Sequence, residues 1–288
     1  MKIKEKIIIN IFKIIRKITD FRFFKKYSYL STNPNKFLLC SDQEYFIVNS
    51  SDHAVGKDTY VKGEFEFNAM MVKAYKIIKK YKKLNSYTLL DIGSNIGSMC
   101  IPSITRNYIK KAIAVEPNPE SYRLLCSNIN LNNLNEKITT KKLCIGEFKK
   151  NLYLLLNNKN HGDNKISYTK VKNKKFVKVN SITLDSLTNN FNEKFIIKID
   201  VQGSELLVLK YGKKTLSKKP PLILEFDLNL ALDKNIIEIG KILKQAKYSF
   251  FYDLNDAFPQ KINFTEENYL LKFKKLKKSK SNSDLLFI

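Results

Sequence analysis

Two hydrophobic periods alternate along this 288-residue chain. Short apolar runs of strand character fall at 88–92, 112–116, 138–143, 195–200 and 222–226. Between them, apolar positions recur three to four residues apart, as on a buried helix face. Helices are predicted over 67–83, with Met70, Met71, Ala74, Ile77 and Ile78 inward, over 96–107, over 120–131, with Tyr122, Leu125, Cys126 and Ile129 on one face, and over 204–211. Strands alternating with helices predict an α/β fold, a mostly parallel sheet with helices on both faces. The alternation breaks where extended runs at 152–156 and 176–179 flank a polar loop, 157–164, of the kind that covers a site. Runs at 248–252 and 284–288 predict an antiparallel edge pair, and 266–280 reads as a lysine-dense helix. Ahead of all this, 36–67 reads as short strands and turns with Asp52, Gly56 and Gly63 as breakers. Three regions follow: a basic amphipathic helical segment over 1–35, a β/α lead-in over 36–85 packed on the core, and one large domain over 86–288.

The sharpest chemistry lies at the first two strand tips. Leu89-Leu90-Asp91-Ile92 runs into Gly93-Ser94-Asn95-Ile96-Gly97, and Ala112-Ile113-Ala114-Val115 ends in Glu116-Pro117-Asn118, 25 residues after Asp91. Glycine lets the backbone approach a ligand closely, and a helix start offers unpaired N–H groups to it. A carboxylate at the neighbouring tip is placed to accept both hydroxyl hydrogens of a ribose. The dinucleotide fingerprint requires glycine at positions that here hold Asn95 and Ser98, which weakens a pyrophosphate reading.

Three further runs, Thr183-Leu184-Asp185-Ser186-Leu187, Ile197-Lys198-Ile199-Asp200-Val201-Gln202-Gly203-Ser204-Glu205 and Leu222-Ile223-Leu224-Glu225-Phe226, complete an ordered set. Together with the glycine turn and Glu116 they resemble the signature of the FkbM-type methyltransferases, over about 44–288. The resemblance implies a Rossmann-like class I methyltransferase fold with an antiparallel edge strand. It also implies S-adenosyl-L-methionine as cofactor and transfer of its methyl group to a hydroxyl. Asp91, Gly93, Ser94, Asn95 and Gly97 would surround the amino-acid end of that cofactor, Glu116 would take the ribose, and Pro117 and Asn118 would lie near the adenine. Cys144 and Ile145 would either wall the adenine or serve as ordinary packing, and Glu66 would reach toward the ammonium.

For catalysis the residues themselves point to Asp200. Lys198 and Asp200 are two apart and share one face of a strand that is otherwise apolar, where charges need a reason. Asp200 is read as the base or hydroxyl anchor with Lys198 tuning it, against a structural ion pair. Glu205, just inside the following helix, either caps free N–H groups or binds the acceptor. Gln202 stands where the family pattern often has Glu; an amide hydrogen-bonds but cannot act as a base. The 161–164 loop reads as a lid or a polar turn.

The acceptor implied is a hydroxyl-bearing small molecule or glycan, a sugar of a surface glycan or its lipid-linked precursor. RNA ribose methylation, a nicotinamide-dependent sugar oxidoreductase and a cofactor-binding module without catalysis remain as alternatives. Nucleobase amino methylation does not fit, because Asp200-Val201-Gln202-Gly203 replaces the Pro-Pro-aromatic run such enzymes carry.

Composition changes this picture little. The net charge is +25, yet only four of the 52 basic residues are arginine, so the guanidinium forks suited to phosphate are scarce and nucleic acid is not the expected partner. The four cysteines are widely separated and only two histidines accompany them, so no metal site is expected and buried thiols of a reducing cytoplasm are. No apolar run reaches transmembrane length. Residues 2–24 nonetheless carry isoleucines at helical spacing among lysines, a pattern suited to the inner membrane surface or equally to docking on the core or a partner chain.

Overall fold

The computed structural model describes residues 36–148, 152–157, 164–170, 172, 175–189, 191–227, 233–279 and 282–288. The amphipathic segment 2–24 and residues 161–163 of the polar loop lie outside them.

The chain opens with β1 (Phe37–Ser41), β2 (Tyr45–Asn49) and α1 (Val55–Lys62), then a π turn (Phe67–Met71) running into α2 (Val72–Ile78). The alternating core follows as β3 (Tyr87–Ile92), α3 (Cys100–Thr105), β4 (Lys111–Val115), α4 (Pro119–Leu131) and β5 (Ile138–Lys141). An insertion holds β6 (Cys144–Ile145), β7 (Leu152–Leu155), β8 (Lys165–Ser167), β9 (Phe176–Val179), β10 (Ser181–Ile182) and α5 (Leu184–Asn189). The core resumes with β11 (Lys194–Ile199), α6 (Glu205–Lys210), α7 (Lys213–Ser217), β12 (Leu222–Phe226) and α8 (Asp233–Gln245). It ends in β13 (Phe250–Asp253), β14 (Ile262–Asn263), α9 (Glu266–Ser279) and β15 (Ser283–Phe287).

The main sheet runs β14-β13-β15-β12-β11-β3-β4-β5. Pairing is parallel from β5 through β12 and antiparallel from β12 to β15 and onward. This is the Rossmann-like arrangement with its antiparallel edge. The chain order of the parallel strands reverses between β3 and β11, and such a switch point opens a crevice at the carboxyl ends. The central strands are buried on both faces, which is why Phe195-Ile196-Ile197 and Leu222-Ile223-Leu224 are apolar without alternation.

Two local differences from the sequence reading have clear causes. Residues 55–62 form a helix through Gly56, because Asp52 accepts from the N–H groups of Ala54 (3.1 Å) and Gly56 (3.0 Å) and so starts the helix. Gly63 ends it in a left-handed conformation (φ 81°), its N–H returning to Thr59 O at 2.9 Å. The helix expected over 67–83 stops at Ile78, where the exposed lysine run begins.

The lead-in is fastened to the core by polar side chains. Arg106, after α3, pairs with Glu44 at 2.8 Å and Glu64 at 3.1 Å over the Phe67 ring. Along α4, Asn128 and Asn132 present their amides to the free edge of β2: Asn128 accepts from Ile47 N (2.6 Å), and Asn132 accepts from Tyr45 N (3.0 Å) and donates to Tyr45 O (2.8 Å). These amides substitute for a neighbouring strand. Asn128 is buried and also donates to Ile96 O at 3.0 Å, tying hairpin, helix and glycine turn together. Asn128→Ala is expected to cost about 2 kcal/mol or more, because it strands buried main-chain groups, and the more exposed Asn132→Ala about 1 kcal/mol or less; urea denaturation of the two variants checks the ordering.

Candidate active site

The β3 turn is shaped by two glycines. Gly93 (φ 87°) lies so close to the turn after β11 that an added Cβ would come within 1.8 Å of the Asp200 carbonyl oxygen. Gly97 (φ 93°) would meet Ile101 at 2.7 Å and Leu125 at 3.0 Å. Only glycine permits both the conformation and the contact.

Four of the five N–H groups of the Gly93–Gly97 turn are engaged within the protein. Gly93 N and Ser94 N donate to Val115 O, Gly97 N donates to Ser94 O, and Asn95 N donates to Glu116 Oε2 at 2.9 Å. The other oxygen of Glu116 accepts from Asn118 N at 2.8 Å. Glu116 thus ties the glycine turn to the end of β4, with further lone pairs on its two oxygens still available. Burial pushes its carboxyl up to about 7, against the two N–H groups that draw it down.

A polar row crosses the sheet at the carboxyl ends of its strands. Register places Asp91 beside Lys198, and Glu225 beside Asp284. Lys198 is 2% exposed and its ammonium lies 3.0 Å from Asp200 Oδ2. Gln202, strained at φ 52°, donates one amide nitrogen to both Asp200 Oδ1 (3.0 Å) and Glu225 Oε2 (3.1 Å). Burial alone would raise Asp200; the Lys198 ammonium overcomes it and holds Asp200 below the ordinary carboxylate range. Burial and the Asp200 charge together raise Glu225 strongly, so it keeps its proton while Asp200 does not. Asp91 is fully buried with neither oxygen hydrogen-bonded, and burial lifts it to about 6 despite Lys198.

A cavity of about 500 Å³ opens over this row. Of the residues singled out from the sequence, Gly93, Asn95, Glu116, Pro117, Lys198 and Asp200 line it. Asp91, Ser94, Gly97, Asn118 and Glu205 stand behind that lining. Ser94 donates to Asp91 O at 2.6 Å, and Asn118 caps α4 by accepting from Glu120 N at 3.0 Å. Glu205 accepts from Val201 N (3.2 Å) and Gly203 N (3.1 Å), the geometry of a loop tie, and burial pushes it up to about 7. Cys144, Ile145 and Glu66 also line the cavity, as does Glu225, which the sequence reading quoted only as part of a run. Its signal was available: like Glu116, it is a carboxylate at the end of an apolar strand. Asp185 of the Thr183–Leu187 run caps α7, accepting from Thr215 N (2.8 Å) and Lys214 N (3.1 Å).

The lining fits a ligand rich in hydroxyl and ammonium donors. Asn95 Oδ1 is buried and unpartnered, and Glu116 has free lone pairs beside it. Among the described residues no group of three His, Cys, Asp or Glu side chains is arranged for a metal ion.

A strand-tip cavity on this sheet order is the arrangement of the Rossmann-like class I methyltransferase fold. The methyltransferase FkbM domain matches residues 91–258, more than half of the chain, and the chain belongs to that family. Similar solved structures include methyltransferase FkbM from Methylobacillus flagellatus (15% identity, TM-score 0.45, covering 81% of this chain and 52% of that one). The Bacillus subtilis m1A22 tRNA methyltransferase TrmK is similar at 13% identity (TM-score 0.41, 75% of this chain and 64% of that one). A precorrin-6y methyltransferase from Geobacter metallireducens is similar at 8% identity (TM-score 0.39, 75% and 86%). The chain therefore spans about half the length of the Methylobacillus protein. No curated protein matches it. No helix among the described residues is long and apolar enough to cross a membrane.

Folded Glu116 keeps its proton up to about pH 7, whereas the ordinary value is 4.5, so between these the native state binds more protons and loses stability as pH rises. The stability advantage of wild type over Glu116→Gln is therefore expected to shrink from pH 5 to pH 7.5, as read from paired denaturation curves over roughly that window.

Proposed function

We propose that this chain is an S-adenosylmethionine-dependent O-methyltransferase acting on a sugar hydroxyl of a surface glycan or lipid-linked precursor. Glu116 would hold the ribose, Asn95 and the glycine turn would flank the amino-acid end, and Cys144 and Ile145 would wall the adenine. When bound, that cofactor supplies a methyl group already electrophilic on its sulfonium.

The chain's own work is to hold the acceptor in line, exclude water and take a proton. Asp200 carries this reading. It is a carboxylate on the cavity lining held anionic by a buried ammonium, its side chain 28% exposed while that of its partner Lys198 is 3% exposed. Held anionic, it would accept a hydrogen bond from the acceptor's hydroxyl and take its proton as the acceptor oxygen gained the methyl group, the donor's sulfur being the leaving group. Lys198 and Gln202 fix both of its oxygens, so the base is positioned before the acceptor arrives. Glu205 acts through the 201–203 loop rather than on the acceptor.

The test uses labelled methyl donor with glycan, lipid and RNA extracts. Label entering a glycan supports the assignment, and label entering RNA alone would replace it with ribose methylation. Asp200→Asn is expected to cut transfer by about a hundredfold or more while calorimetric affinity for the donor changes less than about threefold. Unchanged turnover would remove Asp200 from the role of base.

A further inference from the structure

The β1–β2 hairpin is apolar on both faces. Phe37-Leu38-Leu39-Cys40 and Tyr45-Phe46-Ile47-Val48 run without a polar break, a pattern that predicts cover on either side of the strands rather than on one. The inner side has that cover: Cys40, Phe46 and Val48 are buried in the core. Pairing sets Leu39 opposite Ile47 and Ser41 opposite Tyr45, on the outer side with Phe37. There Phe37 is 52% exposed, Leu39 57% and Tyr45 50%. Leu131 of α4 is also exposed and precedes Asn132, which holds the Tyr45 main chain.

What covers the outer side is indicated by charge and by the chain that leads into it. The Arg123 guanidinium lies 5.7 Å from the centre of the Phe37 ring, and the exposed Lys36 precedes that ring in sequence. Residues 1–36 hold ten basic and two acidic side chains, with isoleucines at helical spacing, and end where β1 begins. A second copy of a chain of net charge +25 is a poor cover, since the two basic leading stretches would repel each other. The hairpin and the leading stretch are also unequal in length. At helical rise the stripe from Ile3 to Ile18 spans about 24 Å, against roughly 17 Å for a five-residue strand. A surface that is anionic outside and apolar beneath suits both, and a phospholipid bilayer is such a surface.

We propose that the outer face of the β1–β2 hairpin docks on an anionic phospholipid surface, with Phe37, Leu39 and Tyr45 as its anchors. Phe37 and Leu39 enter the acyl boundary, Tyr45 keeps its hydroxyl among the headgroups, and Lys36 and Arg123 meet lipid phosphate. Asn128, which accepts from Ile47 N, also donates to Ile96 O of the glycine turn, so the docking hairpin is tied to the frame of the cavity. This attachment does not depend on the methyl-transfer reading.

The chain has no tryptophan, so Leu39→Trp in the full chain puts a single fluorescent reporter on the outer face. In buffer its emission is expected at the wavelength of a solvated indole. With vesicles of phosphatidylcholine and phosphatidylglycerol it is expected to shift to shorter wavelength and to be quenched by brominated acyl chains. Partition onto these vesicles is expected to exceed that onto phosphatidylcholine alone by about tenfold or more. Phe37→Ser and Tyr45→Ser, on the two strands and both at exposed positions, are each expected to lower the vesicle-bound fraction by about threefold or more in flotation. No binding to the anionic vesicles would overturn the proposal. So would emission already at short wavelength in buffer, which means that the chain itself or a second copy covers the face, light scattering separating the two. Vesicle binding with an unquenched reporter and with both serine variants fully bound would overturn it as well, assigning the attachment to residues 2–24 alone.

Discussion

A buried ammonium in the middle of a parallel sheet is the constraint from which the site follows. Lys198 occupies an interior position of β11, between Ile197 and Ile199, in a strand otherwise apolar and covered on both faces. Removing such a charge from water is expensive unless carboxylates surround it. Asp91 on one neighbouring strand and Asp200 just past the end of its own provide them, and their pull outweighs burial, which by itself favours the neutral amine, and raises the Lys198 ammonium above its ordinary value. That anchorage decides the protonation of the row: Asp200 stays anionic beside the ammonium, and Glu225, next to that anion and farther from the cation, keeps its proton. One cation thus sorts a group of chemically similar carboxyls into a base and an acid.

Whole-chain charge is a poor guide to such a site. Among the described residues, lysines cluster on exposed surfaces such as α9 and the run after α2, whereas the cavity lining carries several carboxyl groups. Local register, not composition, sets which charges meet in the pocket.

The sheet was legible in the sequence because its apolar runs are long, uninterrupted and separated by helical spacing. Strand β12 falls where the pattern put it, and β3, β4 and β11 shift by only a residue at their ends. The segment 55–62 was misread because a capping aspartate, Asp52, and an interior glycine look like loop chemistry until the cap geometry is seen. Helix α8 passed unnoticed although Ile236, Ile239, Ile242 and Leu243 have helical spacing, the polar lysines around them diluting the signal. In the site, residue types at the strand tips were readable, but hydrogen-bond partners were not: that Glu116 ties the glycine turn while Asp91 faces Lys198 depends on pairing across strands. Glu225 shows the same limit, since its nearness to Asp200 arises from β11 and β12 lying side by side, 25 residues apart in sequence.

The central claim is that Lys198 keeps Asp200 ionised inside a row of carboxyl groups. A carboxyl-carbon NMR titration of Asp200, assigned by its absence in the Asp200→Asn protein, tests this most directly. The account predicts a midpoint below the ordinary aspartate value of 3.8. A midpoint at or above that value would contradict it and leave the cavity without its base.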